Sequence, residues 1–185
     1  LPTTLETIGT ESFRGCGNLE EMNIPEKTTK IGESAFRDCV SMKSLTIANE
    51  CIKIGERAFE NCAALTDIDL PEGLKEIYGG VFNSCKSLKK IKLPEKLTIL
   101  GESAFSDCEG LKNIEIPETV TKIDDLVFNG CTSLKKISLN EGLRKIGKSA
   151  FKNCESLEEI LIPSTVSSIS DAPFRGCKGL KSIRV

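Results

Sequence analysis

Nine cysteines and not one histidine define the chemistry open to this chain of 185 residues. Eight of the thiols recur at a constant interval, at Cys16, Cys39, Cys62, Cys85, Cys108, Cys131, Cys154 and Cys177, and Cys51 stands outside the series. Aligned thiols could hold a metal, pair as disulfides or carry redox chemistry. The spacing argues against each use. No Cys-x-x-Cys pair occurs, and zinc sites draw on such pairs or on histidine. An odd number forbids a complete set of internal disulfides. Thiols stacked in register point in parallel rather than toward one another, which is the wrong geometry for a bridge. All nine read instead as unpaired small hydrophobes, buried and shielded from reagents. Without imidazole, proton shuttles and triads that rely on it are missing from the chain. No Gly-rich phosphate loop or nucleophile motif appears, and nothing marks a cleft around paired carboxylates such as Asp67 and Asp69. The chain is not expected to be an enzyme, and no catalytic, cofactor-binding or metal-ligating residue is assigned.

Lysine supplies the second set. Lys89, Lys90, Lys92, Lys112, Lys135 and Lys136 cluster in the middle of the sequence, with acidic groups at Asp67, Asp69, Glu158 and Glu159 on either side. Such a cluster suits an anionic partner, either an acidic protein surface or a sulfated glycan. The plain alternative is that lysine is an ordinary solvated residue on an exposed face. The overall charge of -2 provides no global field toward nucleic acid or an anionic membrane. Aromatic side chains do not accompany the lysines, so base or sugar stacking is unsupported and no nucleic-acid partner is expected. No apolar run approaches the roughly 20 residues needed to cross a membrane as a helix.

Both sets are positioned by a repeat. Phenylalanine recurs every 23 residues at Phe13, Phe36, Phe59, Phe82, Phe105, Phe128, Phe151 and Phe174. Cysteine follows three residues later, then leucine or Met42, and then the pattern Leu-x-x-Ile-x-Ile. In that pattern the last two aliphatics face one way and the residue between them faces the other, which describes a short strand with one buried side. Proline often follows and ends the strand by removing a donor. Leu-x-x-Ile-Gly is a second extended stretch closed by a glycine turn. The i, i+3 spacing of Ala-Phe-x-x-Cys predicts one short helical or 3-10 turn in each coil. One coil cannot bury its apolar side, but stacking eight coils at about 4.8 Å buries it in ladders and gives a rod roughly 40 Å long. The expected fold is therefore an α/β solenoid of eight coils, a single domain over residues 1–185.

The pattern resembles the BspA-like class of leucine-rich repeats. It is carried by units such as IPEKTTKIGESAFRDCVSMKSL from Ile24 to Leu45, and by Leu93 to Ile114. The resemblance implies a curved right-handed superhelix with a parallel β-sheet on its concave side. It also implies a surface or secreted protein concerned with adhesion. Two functions from different classes follow. One is a protein-binding or adhesion module that takes an anionic ligand on its concave lysines. The other is a structural spacer that presents another domain.

Several positions depart from the repeat. Thr28 and Cys51 stand where other coils carry leucine or valine; Thr28 should weaken its coil unless bonded, and Cys51 fits as a small core residue. Ala48 and Asn140 replace the strand-ending proline. Pro173 replaces the alanine before phenylalanine, where a helical turn would start. Neither end carries a polar cap, so the chain is expected to be an excerpt of a longer one, or to associate through its ends.

Overall fold

The computed structural model describes residues 1–185 and contains sixteen strands and no helix. The strands alternate in length. Two-residue strands are β1 (Thr7–Ile8), β3 (Lys30–Ile31), β5 (Lys53–Ile54), β7 (Glu76–Ile77), β9 (Ile99–Leu100), β11 (Lys122–Ile123), β13 (Lys145–Ile146) and β15 (Ser168–Ile169). Three-residue strands are β2 (Glu21–Asn23), β4 (Ser44–Thr46), β6 (Asp67–Asp69), β8 (Lys90–Lys92), β10 (Asn113–Glu115), β12 (Lys136–Ser138), β14 (Glu159–Leu161) and β16 (Ser182–Arg184). Each coil holds one strand of each kind, and coils 1 to 8 are numbered here by their three-residue strand. All pairings are parallel and in repeat register, for example Ile68 beside Ile91 and Ile114 beside Ile137. The molecule is a parallel β-solenoid. The three-residue ladder is continuous from β2 to β8, and no pairing joins β8 to β10 or β12 to β14.

The aliphatics, phenylalanines and cysteines form one continuous core along the axis. Phe36, Phe59, Phe82, Phe105, Phe128 and Phe151 are wholly buried. Their rings stack nearly parallel, with centroids 5.3 Å apart between Phe82 and Phe105 and 5.8 Å between Phe105 and Phe128. Stacking like residues at the coil spacing leaves each ring a ring-sized neighbour on both sides, so area burial and aromatic contact act together.

The turn that carries phenylalanine and cysteine differs from the short helical or 3-10 turn expected, including the one expected at Pro173. Two residues in every coil, four apart, adopt positive φ, as at Ser34 (φ 51) and Asp38 (φ 63), or Ala172 (φ 47) and Gly176 (φ 78). A right-handed helix cannot pass through such residues. The donors between them are shared out in two directions. Cys39 N–H closes on the Phe36 carbonyl at 3.2 Å within its own coil, whereas Phe36 N–H reaches the Ala58 carbonyl of the next coil at 2.8 Å. A helix would consume both donors internally and leave the coils unbonded along this edge.

The departures from the repeat are absorbed locally. Thr28 is fully buried, and its hydroxyl donates to the Leu5 carbonyl at 2.8 Å, which removes the penalty of placing it in the core. Asn140 is buried where other coils have proline. Its amide donates to the carbonyls of Pro117 at 2.7 Å and Val120 at 3.0 Å, and its oxygen accepts from Gly142 N–H at 2.7 Å. Cys51 is buried, as expected of a core residue. Gly32 has a plain steric reason: a Cβ there would lie 2.5 Å from the backbone of Gly9 in the previous coil.

Candidate binding face

The regularly spaced thiols line the turn side of the coils. All nine are free, and seven are buried. Each buried thiol of the series does more than fill space. Cys62 Sγ donates to the Phe36 carbonyl at 3.2 Å, Cys85 to Phe59 at 3.2 Å, and Cys108 to Phe82 at 3.2 Å. The Phe36 carbonyl thus accepts from Cys39 N–H in its own coil and from Cys62 Sγ in the next, so both lone pairs are used. Sequence reasoning read these residues as plain hydrophobes and missed the donor. The signal was the fixed interval from cysteine to the phenylalanine 26 residues before it. Burial pushes the Cys39 thiol up to about 11 and the Cys85 thiol up to about 12, and drives Cys62, Cys108 and Cys131 upward as well. The expectation that all nine are shielded fails at two places. Cys16 is exposed and Cys177 only half-buried.

The lysines lie on the sheet. In β8, Ile91 is buried while Lys90 and Lys92 on either side of it are exposed. The same alternation exposes Lys136 in β12 and both aspartates in β6. One residue ahead of each strand runs a further outward row: Glu20, Lys43, Thr66, Lys89, Lys112, Lys135, Glu158 and Lys181. Backbone bonds hold this row in register, with Lys135 N–H on the Lys112 carbonyl at 2.9 Å and Lys112 N–H on the Lys89 carbonyl at 3.4 Å. All six lysines singled out by sequence are exposed and fall on three consecutive coils.

Their charges are not balanced equally. At the two ends of the row, Lys43 binds Glu20 at 2.7 Å and Lys181 binds Glu158 at 2.7 Å. The hydrogen bond from lysine holds the carboxyls of Glu20 and Glu158 below their ordinary value. Between those pairs, Lys89, Lys112 and Lys135 make no ion pair, and neither do Lys90 and Lys136; only Lys92 finds a carboxylate, Glu72 at 3.3 Å. In register, Lys90 stands beside Asp67 and Lys92 beside Asp69, yet no ion pair closes across that step. Where β8 and β10 are unpaired, a shallow hollow of about 380 Å³ opens among Lys92, Glu95, Glu115 and Glu118. The face therefore offers open cationic groups bordered by carboxylates, a surface suited to noncovalent recognition of a charged partner.

The 23-residue repeat of the sequence matches a known family profile. The profile of BspA type leucine-rich repeat regions fits residues 1–112 and 100–185. The chain belongs to the BspA-type leucine-rich repeat family. Among solved structures, the leucine-rich repeat protein of T. pallidum is similar at 30% identity and a TM-score of 0.80, over 85% of this chain and 76% of that one. The pneumococcal vaccine antigen PcpA is similar at 22% identity and a TM-score of 0.61, over 98% of this chain and 60% of that one. A leucine-rich repeat protein from Eubacterium ventriosum is similar at 23% identity and a TM-score of 0.60, over 96% of this chain and 57% of that one. The last two likenesses concern the fold alone. No curated protein matches the chain. In this BspA-type chain the repeat accounts for the ladders, while the outward residues of the sheet vary from coil to coil.

Proposed function

We propose that this BspA-type chain is a binding module of a surface or secreted protein, and that it takes an anionic partner on its sheet face. The observation that carries the reading is the row Lys89, Lys112 and Lys135, three successive ammonium groups without a carboxylate partner although the same row is ion-paired at both ends. Like charges spaced by one coil oppose the compact state, and an anion laid across them relieves that repulsion. An acidic protein surface or a sulfated glycan has the required chemistry, and the location of the protein at a bacterial surface is part of the same proposal.

The experiment is retention on immobilised heparin and on polyaspartate at increasing salt. Retention that falls steeply with salt supports the reading, since exposed charges are screened over about 10 Å at 0.1 M. The variant Lys112→Gln/Lys135→Gln, which removes two of the three unpaired ammonium groups of that row, should lose most of its retention while keeping its fold. Equal retention of the variant at every salt concentration would leave the structural spacer as the better account of the chain.

A further inference from the structure

The outward residues of coils 3 to 7 differ in kind as well as in sign. Coil 3 presents Asp67 and Asp69, both exposed and neither in an ion pair. Coils 4, 5 and 6 present the open row Lys89, Lys112 and Lys135. Coil 7 presents Leu161, which is 60% exposed although every other coil has a polar residue at that place in its strand. The two carboxylates of coil 7 are already engaged, Glu158 by Lys181 at 2.7 Å and Glu159 by Arg184 at 3.7 Å. Beside Leu161, where β12 and β14 are unpaired, a hollow of about 310 Å³ is lined by Ile137, Leu139 and Ile160, with Lys136 at its rim.

We infer that this face seats an α-helix of a partner protein, laid along the solenoid axis. The helix sets carboxylates over coils 4 to 6, an aliphatic side chain in the hollow of coil 7 and a basic side chain over coil 3. The inference rests on the reading of the lysine row as an anion-binding face, and it names the form of the partner. Spacing favours a helix. Coils are about 4.8 Å apart, so the three lysines span about 9.6 Å. Helix residues at i, i+3 and i+7 share one side and span about 10.5 Å, at 1.5 Å per residue. Three same-side residues of an extended strand span about 13 Å, which overshoots the row. From coil 3 to coil 7 the mismatch with a helix grows to only about 2 Å, within the swing of lysine stems. The width fits as well. Leu161 lies three residues along its strand from the position that continues the lysine row, about 10 Å, and a helix with its side chains is about 10–12 Å across. One edge of the helix therefore lies over the lysines and the other over Leu161, the arrangement of an amphipathic helix in a groove with an apolar anchor inside a polar rim.

The mixed lining disfavours a uniform polyanion. A sulfated glycan has no cation for Asp67 and Asp69 and no aliphatic group for Leu161, and along the whole face its charges meet those aspartates. The same features set the register, whichever way the helix runs. A slide of one coil toward coil 3 puts a partner carboxylate on Asp67 and Asp69. A slide toward coil 7 puts the partner's base on Lys89, Lys90 and Lys92 and a carboxylate on Leu161. Leu161 is the one apolar residue among the outward positions of the sheet, so no other register returns the aliphatic group to an apolar neighbour.

Fluorescence anisotropy of labelled peptides at about 20 mM salt, where exposed charges are little screened, tests this. Three alanine-based peptides of about 18 residues serve as probes, a length of five helical turns. The first carries on one face, in order, a lysine, glutamates in three successive turns and a leucine. The second has the same composition with those residues spread around the helix. The third is the first with prolines in its central turns. The first should bind at least about tenfold tighter than the others and gain helical circular dichroism on binding. Lys112→Gln/Lys135→Gln should weaken it by about tenfold or more. Exchanging its leucine for asparagine should cost about tenfold against the parent protein and little against Leu161→Asn, a coupling that locates the anchor even if the protein variant is less stable. Equal binding of the three peptides, or a heparin oligosaccharide that binds tighter than the first, overturns the helix and leaves the anion-binding face standing. A leucine exchange that costs the same in both proteins overturns the register. A parent chain that is retained on heparin but binds no peptide loses the helix alone, whereas a first peptide that binds Lys112→Gln/Lys135→Gln as well as the parent overturns the helix and the lysine face together.

Discussion

Two long sides of this solenoid follow opposite rules. On the turn side, phenylalanine and cysteine recur in all eight coils without a single exception. On the sheet face, the outward triplets of no two coils are alike, running from Glu20, Glu21 and Asn23 to Lys181, Ser182 and Arg184. The turn side is confined, since each ring and each thiol must fit between copies of itself, and any other shape leaves a void or a clash in two coils at once. The sheet face meets solvent, so stacking places few demands on it beyond the avoidance of excessive like charge. Uniformity along one side thus marks what the fold requires, and variety along the other marks where this chain can differ from a bare scaffold.

The comparison breaks most readily at its rigid side. Phe105→Ala should lower stability by about 3–5 kcal/mol, through lost burial and a cavity that two neighbouring rings cannot close. Denaturant titration measures it, and an unchanged midpoint would show that the stack does not hold the coils together. The thiols provide the next test through pH. In the fold, Cys39 and Cys85 titrate at about 11 and about 12, above the ordinary 9.0. A raised folded value favours the protonated form, so the stabilisation is complete below pH 9 and is lost as the pH rises from about 9 toward about 12. The thermal midpoint should therefore fall steadily through that alkaline window, and Cys85→Ala should flatten the fall. Thiol reagent at neutral pH should take Cys16 first, Cys177 next, and the seven buried groups only on unfolding.

Smaller effects sharpen the contrast. Thr28→Val removes the hydroxyl bond to Leu5 and leaves that carbonyl short of a donor in a well-packed site; about 0.5–1.5 kcal/mol should be lost. Thermal unfolding at matched pH checks this value. On the sheet face, Lys112→Gln/Lys135→Gln should move stability by no more than about 0.5 kcal/mol, as surface substitutions do, while removing most of the anion retention. A large loss of stability from that pair would erase the distinction between the two sides.

Much of the rigid side was legible before any coordinates, because a fixed interval in phenylalanine, cysteine and aliphatic residues admits only a stacked arrangement. The turn was misread. Ala-Phe-x-x-Cys has helical spacing, and the backbone that defeats a helix is set by flanking positions. One of these holds Gly15, Asp38, Asn61, Ser84, Asp107, Gly130, Asn153 and Gly176, all residues that tolerate the left-handed region or favour turns, and it could have been recognised. Its companion carries that mark only at Ser34, Gly80, Ser103 and Ser149; at Glu11, Arg57, Leu126 and Ala172 coil-to-coil bonding rather than local preference enforces positive φ. On the binding face the six lysines could be picked out from alternation alone. Which of them lack partners could not, since Lys92 with Glu72 and Lys181 with Glu158 depend on how side chains lean between coils.

Because nearly every coil-to-coil hydrogen bond spans 22 to 24 residues, each coil is fastened to its immediate neighbours and to nothing farther away. The molecule is in that sense a ruler with interchangeable divisions. Duplicating one unit of 23 residues would push everything beyond it outward by a single graduation, with its facing and its phase preserved. Such a lineage can change the distance between two surface charges without altering the charges themselves, and it can do so without redesigning a core.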